Sequence, residues 1–75
     1  MRVYRSIDGT PGVTAYQFGH ESILVAFQNG RRFLYTYDIV GSTKVEIMKY
    51  LAVKGQGLNA FINTYLKNAA VPRLR

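Results

Sequence analysis

An α+β domain is the fold class this sequence predicts: a three-stranded antiparallel meander followed by a helical hairpin, β-β-β-α-α, packed on one sheet face. Three observations predict it. Two alternating apolar runs flank Asn29-Gly30, a strong hairpin signal. Beyond Val40-Gly41-Ser42 the apolar period changes from two to three-and-four. Gly55-Gln56-Gly57 then divides that helical half into two.

Residues 1–12 read as a loosely ordered arm. They hold no sustained period and end in Asp8-Gly9-Thr10-Pro11-Gly12, which is turn chemistry. Val3, Tyr4 and Ile7 are suited to packing on the body or to a short strand. Val13 to Phe18 is the first strand, with Thr14, Tyr16 and Phe18 on one face and Val13 and Ala15 on the other. Gly19-His20-Glu21-Ser22 makes the first hairpin connection. Ile23 to Gln28 and Arg31 to Tyr37 complete the meander, which closes by residue 38.

Side-chain parity sets the register of the second hairpin. A two-residue Asn-Gly loop puts Phe27 opposite Arg32 and groups Ile23, Val25 and Phe27 with Arg32, Leu34 and Thr36. A three-residue loop, Gln28-Asn29-Gly30, pairs Phe27 with Arg31 and groups the same residues with Phe33, Tyr35 and Tyr37. The second register gathers the aromatics and is favoured, because a one-residue slip sends the whole set to the other face. It calls for Gly30 in the left-handed region.

Two helices are expected over residues 43–69. Thr43 and Glu46 have capping-box spacing ahead of a helix from about Lys44 to Lys54. Its broad apolar face carries Val45, Ile47, Met48, Leu51 and Ala52, with Glu46, Lys49, Tyr50 and Val53 opposite. Gly55 is placed as the C-terminal cap. The second helix runs to about Asn68 with Leu58, Phe61, Ile62, Tyr65, Leu66 and Ala69 in one stripe. Phe61, Ile62 and Tyr65 are expected to pack on the face carrying Ile23, Val25 and Phe27. Pro72 stops the helix, and residues 70–75 read as a frayed tail.

Length and composition bound the function. Seventy-five residues make one domain with a thin core. With no cysteine and a single histidine, His20, neither a disulfide nor a structural zinc is expected, and no cofactor is indicated. No run approaches the roughly 18 apolar residues of a membrane span, and the basic N-terminus lacks the apolar stretch of a signal peptide, so a cytoplasmic location is expected. Ten Lys and Arg against four Asp and Glu give a formal charge of +6, which favours anionic partners.

Catalysis finds little support. His20-Glu21-Ser22 has triad composition, but adjacent residues on an extended chain point in opposite directions. The four carboxylates, Asp8, Glu21, Asp38 and Glu46, fall in separate segments. Gly55-Gln56-Gly57 precedes a helix but lacks the Lys-Ser/Thr of a P-loop. No enzyme is expected. The feature with most chemical interest is the third strand, where Phe33, Tyr35 and Tyr37 alternate behind Arg31-Arg32. Rings beside cations on a sheet hold single-stranded nucleic acid by stacking and phosphate contact. The same rings also suit the core beneath the helices. Tyr50 and Val53, beside Lys49 and Lys54, form a second candidate patch.

These segments resemble the KTSC domain, a short module named for its occurrence at the C-terminus of some lysyl-tRNA synthetases and also found free-standing in bacteria. The resemblance covers about Val13 to Tyr65. It is carried by Ile23-x-Val25-x-Phe27-x-Asn29-Gly30, by an aromatic-x-aromatic element, and by Gly55 leading to Asn59-x-x-Ile62. The family's Tyr-x-Tyr maps to Tyr35-Thr36-Tyr37 by identity, or to Phe33-Leu34-Tyr35 by distance from Asn-Gly. The family has no established activity, and its company with a tRNA synthetase suggests RNA. The expectation is thus a non-catalytic module that binds RNA or another single-stranded nucleic acid. Its expected contact residues are Arg31, Arg32, Tyr35, Tyr37, Lys54 and Lys67. A protein-interaction module, homodimeric through apolar surface or a strand edge, is the alternative.

Overall fold

The hairpin at Asn29-Gly30 lies at the centre of the sheet. Residues 1–5, 12–66 and 71–74 are described by the computed structural model of the protein. Five strands, β1 (Arg2–Val3), β2 (Val13–Phe18), β3 (Ser22–Phe27), β4 (Arg32–Thr36) and β5 (Arg73–Leu74), form one antiparallel sheet in the order β1-β2-β3-β4-β5. Three helices, α1 (Tyr37–Val40), α2 (Ser42–Lys54) and α3 (Leu58–Tyr65), lie between β4 and β5 in the chain.

The aromatic-gathering register is the one adopted. Ile23 lies opposite Tyr35 and Val25 opposite Phe33. The Phe27 amide donates to the Arg31 carbonyl at 2.8 Å, and the Gly30 amide to the Phe27 carbonyl at 2.9 Å. Gly30 has φ +87°, where a Cβ is disfavoured. The Asn29 side-chain oxygen accepts the Arg31 amide at 2.9 Å, closing the three-residue loop from within.

Parity misplaces one strand. β2 pairs Tyr16 with Val25 and Phe18 with Ile23, but its register shifts between Val13 and Ala15. This bulge brings Val13 onto the same buried side as Tyr16, where strict alternation put it opposite.

The three-stranded meander becomes five-stranded because both flanking segments pair with its edges. In the arm, Arg2 lies opposite Tyr16 and the Tyr4 amide donates to the Thr14 carbonyl at 2.9 Å. In the tail, Arg73 lies opposite Phe33 and the Leu34 amide donates to the Pro72 carbonyl at 3.1 Å. Each pairing satisfies backbone groups that an open edge leaves bare. Two-residue strands are too short to show a period, which is why the tail read as frayed.

The helices also differ from expectation in their ends. The third strand stops at Thr36, whose hydroxyl accepts the Ile39 amide at 3.3 Å and caps α1. That turn delivers the chain directly to α2, whose N-cap is Gly41 rather than Thr43. Gly55 closes α2 in the left-handed conformation with its amide on the Leu51 carbonyl, as expected. α3 ends at Tyr65, short of Asn68. Ile7, the Asp8–Pro11 turn and Lys67 to Ala70 lie outside the described residues.

Ile23, Val25 and Tyr35 from the sheet meet Val45, Met48 and Ala52 from α2, with Leu58, Ile62 and Leu66 from the α3 segment. Tyr4, Val13 and Tyr16 complete the cluster. Leu58, Ile62 and Leu66 follow i, i+4, i+8 spacing, so the short helix presents a narrow stripe. Phe61 packs at its margin, and Tyr65 is 63% exposed rather than set against the sheet. On α2, Tyr50 and Val53 are exposed as expected, whereas Ile47, expected on the apolar face, is 39% exposed.

Candidate nucleic-acid interface

The strand that carries the aromatics turns them inward. Tyr35 is 4% exposed within the core, and burial pushes its hydroxyl pKa up to about 12. It offers no open ring face to a base. Phe33 packs against the same core and meets Phe27 edge-on, centroids 5.7 Å apart. Tyr37 is half-buried at the far end of β4, where its hydroxyl donates to Glu46 Oε2 at 2.6 Å. That hydrogen bond is the main cause of a raised Tyr37 pKa and of a lowered Glu46 pKa.

The two arginines diverge. Arg31 closes the turn opposite Phe27 and lines a groove with Phe33 and Ile62 on the helix side. Arg32, next along the strand, lies opposite Ala26 and so faces the other side of the sheet. Lys54 stands at the end of α2 with its ammonium 5.7 Å from the Tyr50 ring centroid, away from the groove. The sequence-predicted set is therefore spread over three surfaces, with Lys67 outside the described residues.

Charge is segregated along the strand axis, a feature the sequence reading missed. All three carboxylate side chains among the described residues lie at one end of the sheet. Glu21 sits in the β2–β3 turn, Asp38 in the first turn of α1, and Glu46 is tied to Tyr37 and to Lys49. Lys49 Nζ lies 3.3 Å from Glu46 Oε2 and donates to the Gly19 and His20 carbonyls, pinning α2 to that turn. At the opposite end stand Arg31 in the β3–β4 turn, Arg32 at the start of β4, and Arg73 opposite Phe33. Four strand steps from Arg32 to Thr36 span about 13 Å. That exceeds the Debye length of about 8–10 Å in physiological salt, so the carboxylates do little to offset the arginines. The signal for this was available: once the hairpin register is set, Glu21 and Asp38 fall at one end and Arg31 at the other.

The described residues include no cluster of three or more His, Cys, Asp or Glu able to hold a metal ion, and no helix long and apolar enough to cross a membrane. His20 and Glu21 are exposed turn residues with no hydrogen bond between their side chains. Scans against protein-family models, curated proteins and solved structures return no match. The residues behind the KTSC resemblance have structural duties in this chain. Asn29 closes a turn, Gly55 caps a helix, Ile62 is core, and Asn59 lies where a Cβ on Gly12 would come within 2.5 Å of its side-chain oxygen.

Proposed function

We propose that this protein is a non-catalytic module that binds single-stranded RNA through the end of its sheet that carries Arg31, Arg32 and Arg73. The observation that carries the reading is the segregation of charge: Arg31, Arg32 and Arg73 lie at one end of the sheet, on its two faces, with no described acidic side chain there. Cations so placed steer a polyanion to that end and release its counterions on binding. The resemblance to KTSC domains points the same way. Tyr35 contributes from within the fold rather than by stacking; Tyr50 and Tyr65 are the exposed rings suited to that role.

Fluorescence anisotropy of a labelled single-stranded RNA across a salt series tests the reading. The expected result is steep salt dependence. Arg31→Ala and Arg73→Ala should each lower the slope of log K by about 0.7, while Lys44→Ala, at the acidic end, should leave it unchanged. Absence of RNA binding by the folded protein at low salt would overturn the proposal. Concentration-dependent dimerisation in its place would favour a protein-interaction module.

A further inference from the structure

The groove under the β3–β4 turn has features besides its charge. It encloses about 270 Å³ between β4 and α3, and Phe27, Phe33 and Ile62 give it an apolar floor. Tyr35 also lines it. That side chain is 96% buried, yet among the described residues its hydroxyl has no hydrogen-bond partner. A buried tyrosine hydroxyl normally finds one. Here it keeps a small opening to solvent. Protonated at neutral pH like any tyrosine, it is able both to donate and to accept.

Three polar side chains stand around this floor: Asn29, Arg31 and Asn63. Asn29 uses its oxygen on the Arg31 amide, which leaves its NH₂ free to donate outward. Asn63 is exposed on α3. The Arg31 guanidinium has no carboxylate partner among the described residues, since Lys49–Glu46 is the ion pair found there. An apolar floor, a buried hydroxyl, outward amides and a guanidinium with no carboxylate partner among the described residues together match a flat heterocycle attached to a phosphate. An aliphatic side chain would fill the floor but leave the hydroxyl unpaired. The volume falls just below the roughly 300–1,000 Å³ of drug-sized sites, which suits one ring system and not a longer ligand.

We propose that this groove receives one unpaired nucleotide of a bound RNA, its base over Phe27 and Phe33 and its phosphate at Arg31. The inference rests on the RNA-binding reading above and adds a base-reading pocket to it. The Tyr35 hydroxyl and the Asn63 amide meet the hydrogen-bonding edge of the base, so the protein distinguishes among bases while gaining most of its affinity from phosphates.

The experiment compares labelled single-stranded homopolymers of the four bases, bound by wild type, Tyr35→Phe, Asn63→Ala and Arg31→Ala, with a melting curve for each. Tyr35→Phe keeps the ring in the core and removes only the hydroxyl. The expected result is a preference of wild type for one base, reduced about tenfold in Tyr35→Phe and in Asn63→Ala with the salt slope unchanged. Arg31→Ala should lower that slope for every homopolymer. If wild type binds RNA but shows no base preference, or if both Tyr35→Phe and Asn63→Ala retain it in full, the pocket is wrong and the RNA-binding reading stands. If wild type binds none of the four at low salt, both fall. Asn63 is exposed, so its variant tests the pocket even where a core change unsettles the fold.

Discussion

The Leu58 amide donates to the Tyr4 hydroxyl at 3.3 Å, joining the N-terminal arm to the first turn of α3 across 54 residues of sequence. Leu58 opens a helix whose N-cap, Gly57, supplies no side-chain acceptor. The tyrosine that follows β1, distant in sequence, stands in for the missing cap. Tyr4 is itself buried, so the arm belongs to the core.

Tyr4→Phe should therefore lower stability by about 1 kcal/mol, the net value of one buried hydrogen bond. Tyr4→Ala should cost several times more, because it also empties ring volume from the core. Thermal melts of the two variants beside wild type separate the hydroxyl from the ring. Equal losses would show that the hydrogen bond contributes nothing.

Gly30 and Gly12 both have positive φ but differ in their surroundings. A Cβ on Gly30 meets nothing within 4 Å, so Gly30→Ala should cost about 1 kcal/mol from conformation alone. A Cβ on Gly12 comes within 2.5 Å of Asn59 Oδ1, so Gly12→Ala should cost more. Combining it with Asn59→Ala should recover part of the excess in a double-mutant cycle. Strict additivity in denaturant titrations would rule out the clash as its source.

Along α3 the effect of truncation should follow burial rather than residue size. Ile62→Ala should cost on the order of 2–4 kcal/mol, whereas Tyr65→Ala, at an exposed position, should stay within about 0.5 kcal/mol. Denaturant midpoints measured side by side check the order. A larger loss at Tyr65 would reverse the assignment of the helix face.

Stability should decline in base because of Tyr35. Its ordinary pKa of 10.0 applies to the unfolded chain and about 12 to the folded one. Below about pH 10 both states keep the proton and the contribution is whole. As pH rises toward 12 the unfolded chain ionises first, and stability falls by up to about 1.4 kcal/mol per pH unit. Tyr37, raised chiefly by its hydrogen bond to Glu46, acts in the same direction. Denaturation near pH 8 and near pH 11 should show a smaller difference for Tyr35→Phe than for wild type. An identical difference would mean that the buried hydroxyl titrates normally.

The central hairpin was legible in the sequence because one parity argument fixes every side chain from Ile23 to Tyr35 at once. Gly55 was legible because few residues other than glycine close a helix in the left-handed region. Three features escaped for distinct reasons. The bulge near Thr14 shifts parity inside a strand without any glycine to mark it. The edge strand at Arg73–Leu74 is shorter than one period, whereas a short strand near Val3 was among the expected options. The cap on α1 comes from Thr36, a residue that also suits a strand. At the candidate site, the arginines were visible as residue types but not as a pair on opposite faces. The groove unites Arg31 with Asn63 from α3, a proximity only the tertiary fold creates.

The two-residue edge strands have a bearing on how the protein behaves when concentrated. Each border of the sheet offers only a very short ladder, and each carries an arginine, Arg2 on one side and Arg73 on the other. A second molecule approaching edge to edge meets few free backbone groups and a like charge. Strand addition, an ordinary hazard for a small antiparallel sheet, is disfavoured at both borders by residues drawn from the two ends of the described chain.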